Sequence, residues 1–252
     1  MVKEKQSLTV YMSSLILQLE EEGRMGTAHV YRSTLNRVLD FMGGASVAFA
    51  DVTSLWLKAF QSYLLGRGLH WNTVSTYMRM LRAVYFRAVD SGVAPFRARL
   101  FKCVYTGTRV TVKRAVNERL LRRLDVLRIA SGGRLEKSRM LFLLLFMLRG
   151  IPFVDIAYLR KCDLRDDVLL YRRHKTGAWL SVKVEPRAMR LIEQLKNTDP
   201  CSPYLFPYIN KVDASAYRQY QNALRRFNAD LKRLSRMVEA DCSLSSLSLI
   251  HI

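Results

Sequence analysis

LFLLLFMLRGIPFVDIAYLRKCDL (141–164) is followed by VLLYRRHKTGAWLSVKV (168–184). Its apolar run, Met140–Leu148, is nine residues long, against the roughly 20 needed to span a bilayer. The run therefore predicts a buried helix over Glu136–Leu148. Downstream the pattern changes. Val168–Tyr171 and Leu180–Val184 are short β-prone segments on either side of His174-Lys175-Thr176-Gly177, a sequence suited to a tight turn. This is the one hairpin the sequence predicts. Helices are expected again over Pro186–Lys196 and Ala214–Ala240. The fold class is thus mainly α with a small β component.

Upstream of the apolar helix, Asn117 is placed to cap a helix through Ile129, which Ser131-Gly132-Gly133 breaks. Phe96–Lys113 is basic, with Thr106, Gly107 and Thr108 and the alternating Val110 and Val112, and is expected to be an extended interdomain connector. The first hundred residues have helical spacing throughout. Leu8–Glu22 and Thr27–Phe41 each end at glycines. A third helix, capped by Asp51 or Thr53, runs to about Leu65, and a fourth, Val74–Ser91, is capped by Asn72 or Thr73. Short glycine-punctuated links make these a helical bundle. The expected organisation is a helical domain over 1–96, a linker over 97–113 and a mixed α/β domain over 114–252.

The 252 residues carry 41 Lys+Arg against 21 Asp+Glu, a net charge of +20. A surplus of that size points to a polyanion, because each cation that neutralises a phosphate releases condensed counterions. The charge is clustered: residues 97–140 hold 13 basic side chains and three acidic ones. Solubility alone gives no reason for that clustering. Lys113 and Arg114 in the connector are candidate phosphate contacts. In the bundle, Thr27, Tyr31 and Arg32 on one helix, with Asn72, Thr73, Ser75, Arg79 and Arg82 on another, are the donor types that reach phosphate oxygens near helix N-termini. Arg172 and Arg173, beside the hairpin turn, join this set.

The four cysteines, Cys103, Cys162, Cys201 and Cys242, are far apart and show no zinc-ligand spacing. No metal site is expected, and free thiols fit a reducing cytoplasm. The N-terminal MVKEKQSLTVYMSSL has no apolar core followed by a cleavage site, so neither export nor membrane insertion is expected.

The blocks at 141–164 and 168–184 resemble the catalytic domain of tyrosine recombinases, the phage integrase family. They look especially similar to the integrase-type subgroup found in Bacteroidetes mobile elements. GTAHVYRSTLNRVLDF and NTVSTYMRMLRAVYFRAV are similar to that subgroup's core-binding domain. The resemblance runs from about Leu8 to Leu244. It implies a SAM-like core-binding domain and a catalytic domain that clamp duplex DNA, with full-length members assembling as tetramers. It implies site-specific recombination through a phosphotyrosyl intermediate, with no cofactor. Two arginines and a histidine would stabilise the transition state, and a hairpin lysine would protonate the leaving oxygen. An in-line phosphoryl displacement spreads negative charge that fixed guanidinium groups can hold without a metal, and an alkoxide leaving group needs an acid.

Carried onto this chain, the hairpin lysine is Lys175. Ungapped, the pattern puts its first arginine at Pro152. Arg149 lies three residues earlier and would share a face with that position if the helix continued. Arg149 is therefore ranked as the phosphate clamp ahead of Arg160, Arg172 and Arg173, with Asp155 as the acid supporting it. The family's His-x-x-Arg box and tyrosine nucleophile have no counterpart here. Tyr204, Tyr208, Tyr217 and Tyr220 precede the place for the box, and the chain ends in SLSLIHI. The expectation is a catalytic domain truncated at its C-terminus, with an artefactual end. Two alternatives stay open: a non-catalytic DNA-binding regulator or accessory protein on the same scaffold, and a basic RNA-binding protein.

Overall fold

A computed structural model describes residues 7–110, 116–211, 213, 215–240 and 243–248. The chain divides after Thr111 into two compact units.

The first unit is built from α1 (Leu8–Glu21), α2 (Met25–Phe41), α3 (Ser54–Gly66) and α4 (Trp71–Asp90). Ser7 caps α1 by accepting from the Val10 N–H, and Thr53 caps α3 by accepting from Trp56. Of the two caps foreseen for α3, Thr53 fills the role, and Asp51 sits in a short 3₁₀ turn before it. For α4 the expectation fails: neither Asn72 nor Thr73 caps it. The helix begins at Trp71, its N-cap is His70, and no side chain bonds the first turn. The core joins Leu8, Met12, Phe49, Leu57, Phe60, Val74, Met78 and Tyr85.

The segment expected to be an extended connector is turns, and it packs onto this core. Leu100, Phe101 and Val104 are buried in it. The Arg97 guanidinium donates to the carbonyls of Val52 and Ala50 at 3.1 and 2.7 Å. Burying three large apolar side chains, at about 1.5–3 kcal/mol each, outweighs the solvation an extended basic strand would gain. Among the described residues, Val110 is exposed and in no strand. Val112, Lys113 and Arg114 lie outside the described residues.

The second unit holds α5 (Glu118–Val126), α6 (Arg134–Met147), α7 (Phe153–Tyr158), β1 (Leu164–Arg165), β2 (Val168–Arg172), β3 (Trp179–Lys183), α8 (Pro186–Leu195) and α9 (Ala216–Met237). Asn117 caps α5 through the Leu120 N–H, as its position predicts. The apolar run forms the buried middle of α6, Leu141 to Leu145, at the centre of a core that takes in Ile156, Leu169, Phe206, Phe227 and Leu231. The hairpin is present with Leu169 opposite Val182 and Tyr171 opposite Leu180. Its alternation turns Leu169, Tyr171 and Val182 inward. The two-residue β1, too short to read from sequence, makes the sheet three-stranded and antiparallel, in the order β1-β2-β3.

One buried acid ties α6 to α9. Asp230, only 1% exposed, accepts from Arg134 Nε and Nη2 at 3.0 and 2.9 Å and from Ser138 Oγ at 2.9 Å. A buried carboxylate needs this full set of donors to offset its desolvation. The segment Ser243–Ser248 returns to the same unit: Leu244 is buried in the core, and the Ser246 N–H donates to Asn228 on α9.

Candidate nucleic-acid interface

The turn between β2 and β3 is closed by its own backbone. The Arg173 N–H donates to the Ala178 carbonyl and the Gly177 N–H to the Arg173 carbonyl, both at 2.8 Å. Gly177 has φ +71°, a conformation that costs an L side chain about 1–2 kcal/mol. The Arg172 Nε donates to the Gly177 carbonyl at 2.8 Å. This side chain, expected to reach DNA, instead braces the turn. Lys175 stands exposed at the tip.

The turn is also gripped from below by α7. Asp155, with its side chain 1% exposed, accepts the His174 N–H through Oδ1 at 2.8 Å. Its Oδ2 faces the half-buried Arg173 Nε at 4.0 Å, and neither of these two atoms has a hydrogen-bond partner. Burial pushes the Asp155 carboxyl above the usual carboxylate range, partly opposed by the His174 N–H and by Arg173. One helical turn on, the Tyr158 ring stacks on His174, with centroids 4.8 Å apart and planes 14° apart. Burial also pushes the Tyr158 and Tyr171 hydroxyls up to about 12, with Asp155 adding to the rise at Tyr171. An adjoining cleft of about 460 Å³ is lined by Asp155, Tyr158, Tyr171, His174 and Trp179.

Asp155 therefore serves the hairpin, through Arg173 and His174, and not Arg149. The premise of a continuing helix also fails. α6 ends at Met147, Arg149 takes φ +59° and Gly150 φ +73°, and Pro152 becomes the N-cap of α7. Arg149 and position 152 thus share no helical face. Arg149 is exposed, and its guanidinium forms no hydrogen bond or ion pair among the described residues.

In the first unit the expected donors divide. Arg79 and Arg82 project from α4 into solvent, Arg82 with its guanidinium 6.0 Å from the Phe86 ring. Thr27, Tyr31 and Thr73 are half-buried, Tyr31 against the core. Arg32 is ion-paired to Glu20 at 2.6 Å, which holds the Glu20 carboxyl below its ordinary range. Asn72 and Ser75 are occupied internally. Asn72 accepts the Arg109 N–H at 2.7 Å and donates to the Arg109 carbonyl at 2.9 Å. Ser75 is fully buried and donates to the Gly107 carbonyl at 2.5 Å. These bonds dock the tail of the unit and seat the Arg109 guanidinium 4.3 Å from the Trp71 ring.

The largest feature missing from the sequence reading is on α9. Arg218, Arg225, Arg226, Lys232, Arg233 and Arg236 are all exposed, and none has an acid within ion-pair distance among the described residues. Spacings of seven and eight put them on one solvent-facing stripe, ~27 Å long at 1.5 Å per residue. The one acid in α9, Asp230, points into the core. The signal was legible: basic residues recur on the face opposite Phe227, Leu231 and Leu234.

Cys103, Cys162 and Cys201 are free and exposed. Among the described residues no cluster of His, Cys, Asp or Glu could hold a metal ion, and no helix is long and apolar enough to cross a membrane.

Residues 7–98 match the family model for the phage integrase SAM-like domain. No curated protein matches the chain in sequence. Among the solved structures similar in fold are the following. A lambda integrase dimer bound to a COC' core site has a TM-score of 0.65 at 13% identity, covering 96% of this chain and 67% of that one. A lambda integrase tetramer bound to a Holliday junction has a TM-score of 0.66 at 12% identity, over 98% and 69%. The Tn1549 transposon integrase in complex with a circular intermediate DNA has a TM-score of 0.62 at 13% identity, over 98% and 85%. The helical first unit and the mixed second unit thus have the core-binding and catalytic-domain folds of integrases.

Proposed function

We propose that this chain is the DNA-binding part of a tyrosine recombinase of the kind carried by Bacteroidetes mobile elements, acting on duplex DNA in the cytoplasm. The observation that carries the reading is a set of exposed cations with no ion pair among the described residues: the α9 stripe, Arg79 and Arg82 on α4, and Lys175 at a braced turn. Exposed cations without counter-charges are the groups that displace condensed counterions from DNA. In a recombinase that also carries the nucleophile, Lys175 is the acid that protonates the leaving 5′-oxygen. Arg149, exposed just past the end of α6 with its guanidinium in no hydrogen bond or ion pair among the described residues, contributes that group to the scissile phosphate. The second arginine, the histidine and the nucleophilic tyrosine have no matching positions within Met1–Ile252, so the 252 residues bind DNA without cleaving it.

The test uses a nicked suicide duplex. The chain is expected to shift the duplex in a native gel and to leave no protein–DNA adduct after denaturation. Failure to bind duplex, or preference for RNA in competition, overturns the DNA reading. A phosphotyrosyl adduct overturns the reading that these 252 residues bind without cleaving.

A further inference from the structure

We propose that Asp155 and Tyr158 are positioning residues for the β2–β3 turn: together they fix where Lys175 meets DNA. The inference rests on the recombinase reading of Lys175 and assigns that placement to two residues that do not themselves touch DNA.

The two side chains are three residues apart on α7, and residues at i and i+3 share a helix face. Both reach the same turn residue, by different forces. Asp155 Oδ1 takes the His174 N–H at 2.8 Å, which fixes the backbone one residue before Lys175. The Tyr158 ring lies nearly parallel to the His174 imidazole at 4.8 Å, which fixes the direction of its side chain. On the opposite side, Arg172 Nε holds the Gly177 carbonyl at 2.8 Å. The turn is therefore restrained at both ends, and Lys175, exposed between them, keeps its freedom only beyond Cβ.

The burial of Asp155 supports a positioning role over a purely structural one. A carboxylate with 1% exposure, whose second oxygen has only the Arg173 Nε at 4.0 Å and no hydrogen bond, is a costly way to hold a surface turn. A solvent-exposed hairpin closes on its own backbone bonds, as this one does. The extra carboxylate and the aromatic stack add nothing to closure. They set the orientation of the turn relative to α7, which is anchored in the core through Phe153 and Ile156. A proton donor must sit within hydrogen-bond reach of its target oxygen, so this orientation is the quantity that matters.

The experiment attaches an iron–EDTA chelate to the full chain through Lys175→Cys, with Cys103, Cys162, Cys201 and Cys242 replaced by serine. The chelate reads position directly, by the nucleotides it cuts on an end-labelled bound duplex. With α7 intact, cutting is expected within two or three nucleotides on each strand. Asp155→Ala and Tyr158→Ala are each expected to spread the same total cutting over at least twice as many nucleotides, with duplex affinity changed less than threefold. Tyr158→Phe keeps the stacked ring and is expected to restore the focused pattern. If Asp155→Ala fails to fold, the Tyr158 pair decides alone. A focused pattern in every variant overturns the positioning role while leaving the recombinase reading intact. A parent chain that binds duplex but cuts nowhere places the turn away from DNA and overturns both.

Discussion

Replacing Asn72 with alanine tests whether this residue contacts DNA or holds the protein's own backbone. The side chain makes two hydrogen bonds to one residue, Arg109, at 2.7 and 2.9 Å. At about 0.5–1.5 kcal/mol net per bond, their loss weakens docking of the 105–110 tail by ~1–3 kcal/mol. With tenfold per 1.4 kcal/mol, the local opening equilibrium rises by about 5- to 140-fold. Leu100, Phe101 and Val104 are held by core contacts that the substitution does not touch, so the opening is expected to be confined to the tail, with global unfolding moved much less. Native-state hydrogen exchange reads both quantities, because an amide that opens locally exchanges independently of the global transition. The Tyr105 amide, whose own acceptor Gln61 is left in place, should exchange faster by that factor, and the Arg109 amide, which loses its acceptor, by at least as much, while amides in the middle of α3 and α4 keep their rates. An unchanged Arg109 amide together with a tenfold loss of duplex affinity would refute the reasoning and return Asn72 to the DNA surface.

Asp230→Ala should destabilise the second unit by ~1–3 kcal/mol in urea unfolding. This is less than the loss of one partner from a fully buried pair, because Arg134 is 63% exposed and can regain water. A change below about 0.5 kcal/mol, the range of an ordinary surface substitution, would contradict the anchoring role. Gly177→Ala should cost ~1–2 kcal/mol from its left-handed backbone, with the new Cβ 3.2 Å from Arg172 Nη2; an unchanged midpoint would contradict the turn geometry. For Asp155 the sign follows from its raised carboxyl pKa. The folded state favours the protonated form, so this contribution to stability is fully present below the unfolded pKa of about 3.9 and is lost as pH rises through the folded value. Asp155→Asn cannot titrate, so its stability relative to the parent should increase from pH 4 to pH 7. A flat or falling difference in paired urea titrations would contradict the burial argument.

The elements that could be read from the sequence were those whose signal is local. The apolar run of α6, the Thr53 and Asn117 caps, and the alternation around His174-Lys175-Thr176-Gly177 each rest on a few neighbouring residues. The misreadings share a cause, which is a partner distant in sequence. Asn72 and Ser75 have the composition of phosphate donors, but Arg109 and Gly107 occupy them. Phe101 and Val104 lie in a basic stretch, and only the assembled bundle offers them a core. Asp155 was assigned to a neighbouring arginine, whereas its partners come from the strand turn nearly twenty residues on. The α9 stripe is a local signal too, since Arg218, Arg225, Lys232 and Arg236 recur on the face opposite Phe227, Leu231 and Leu234.

The most direct test of the account is the salt dependence of duplex binding. It compares the full chain with a triple variant, Arg225→Ala, Lys232→Ala and Arg236→Ala, on the exposed face of α9. Each phosphate contact contributes about −0.9 to the slope of log K against log salt concentration. The parent should weaken steeply with salt, and the variant's slope should be shallower by as much as ~2.7. Parent binding that is insensitive to salt, or a variant slope identical to the parent's, would contradict the account.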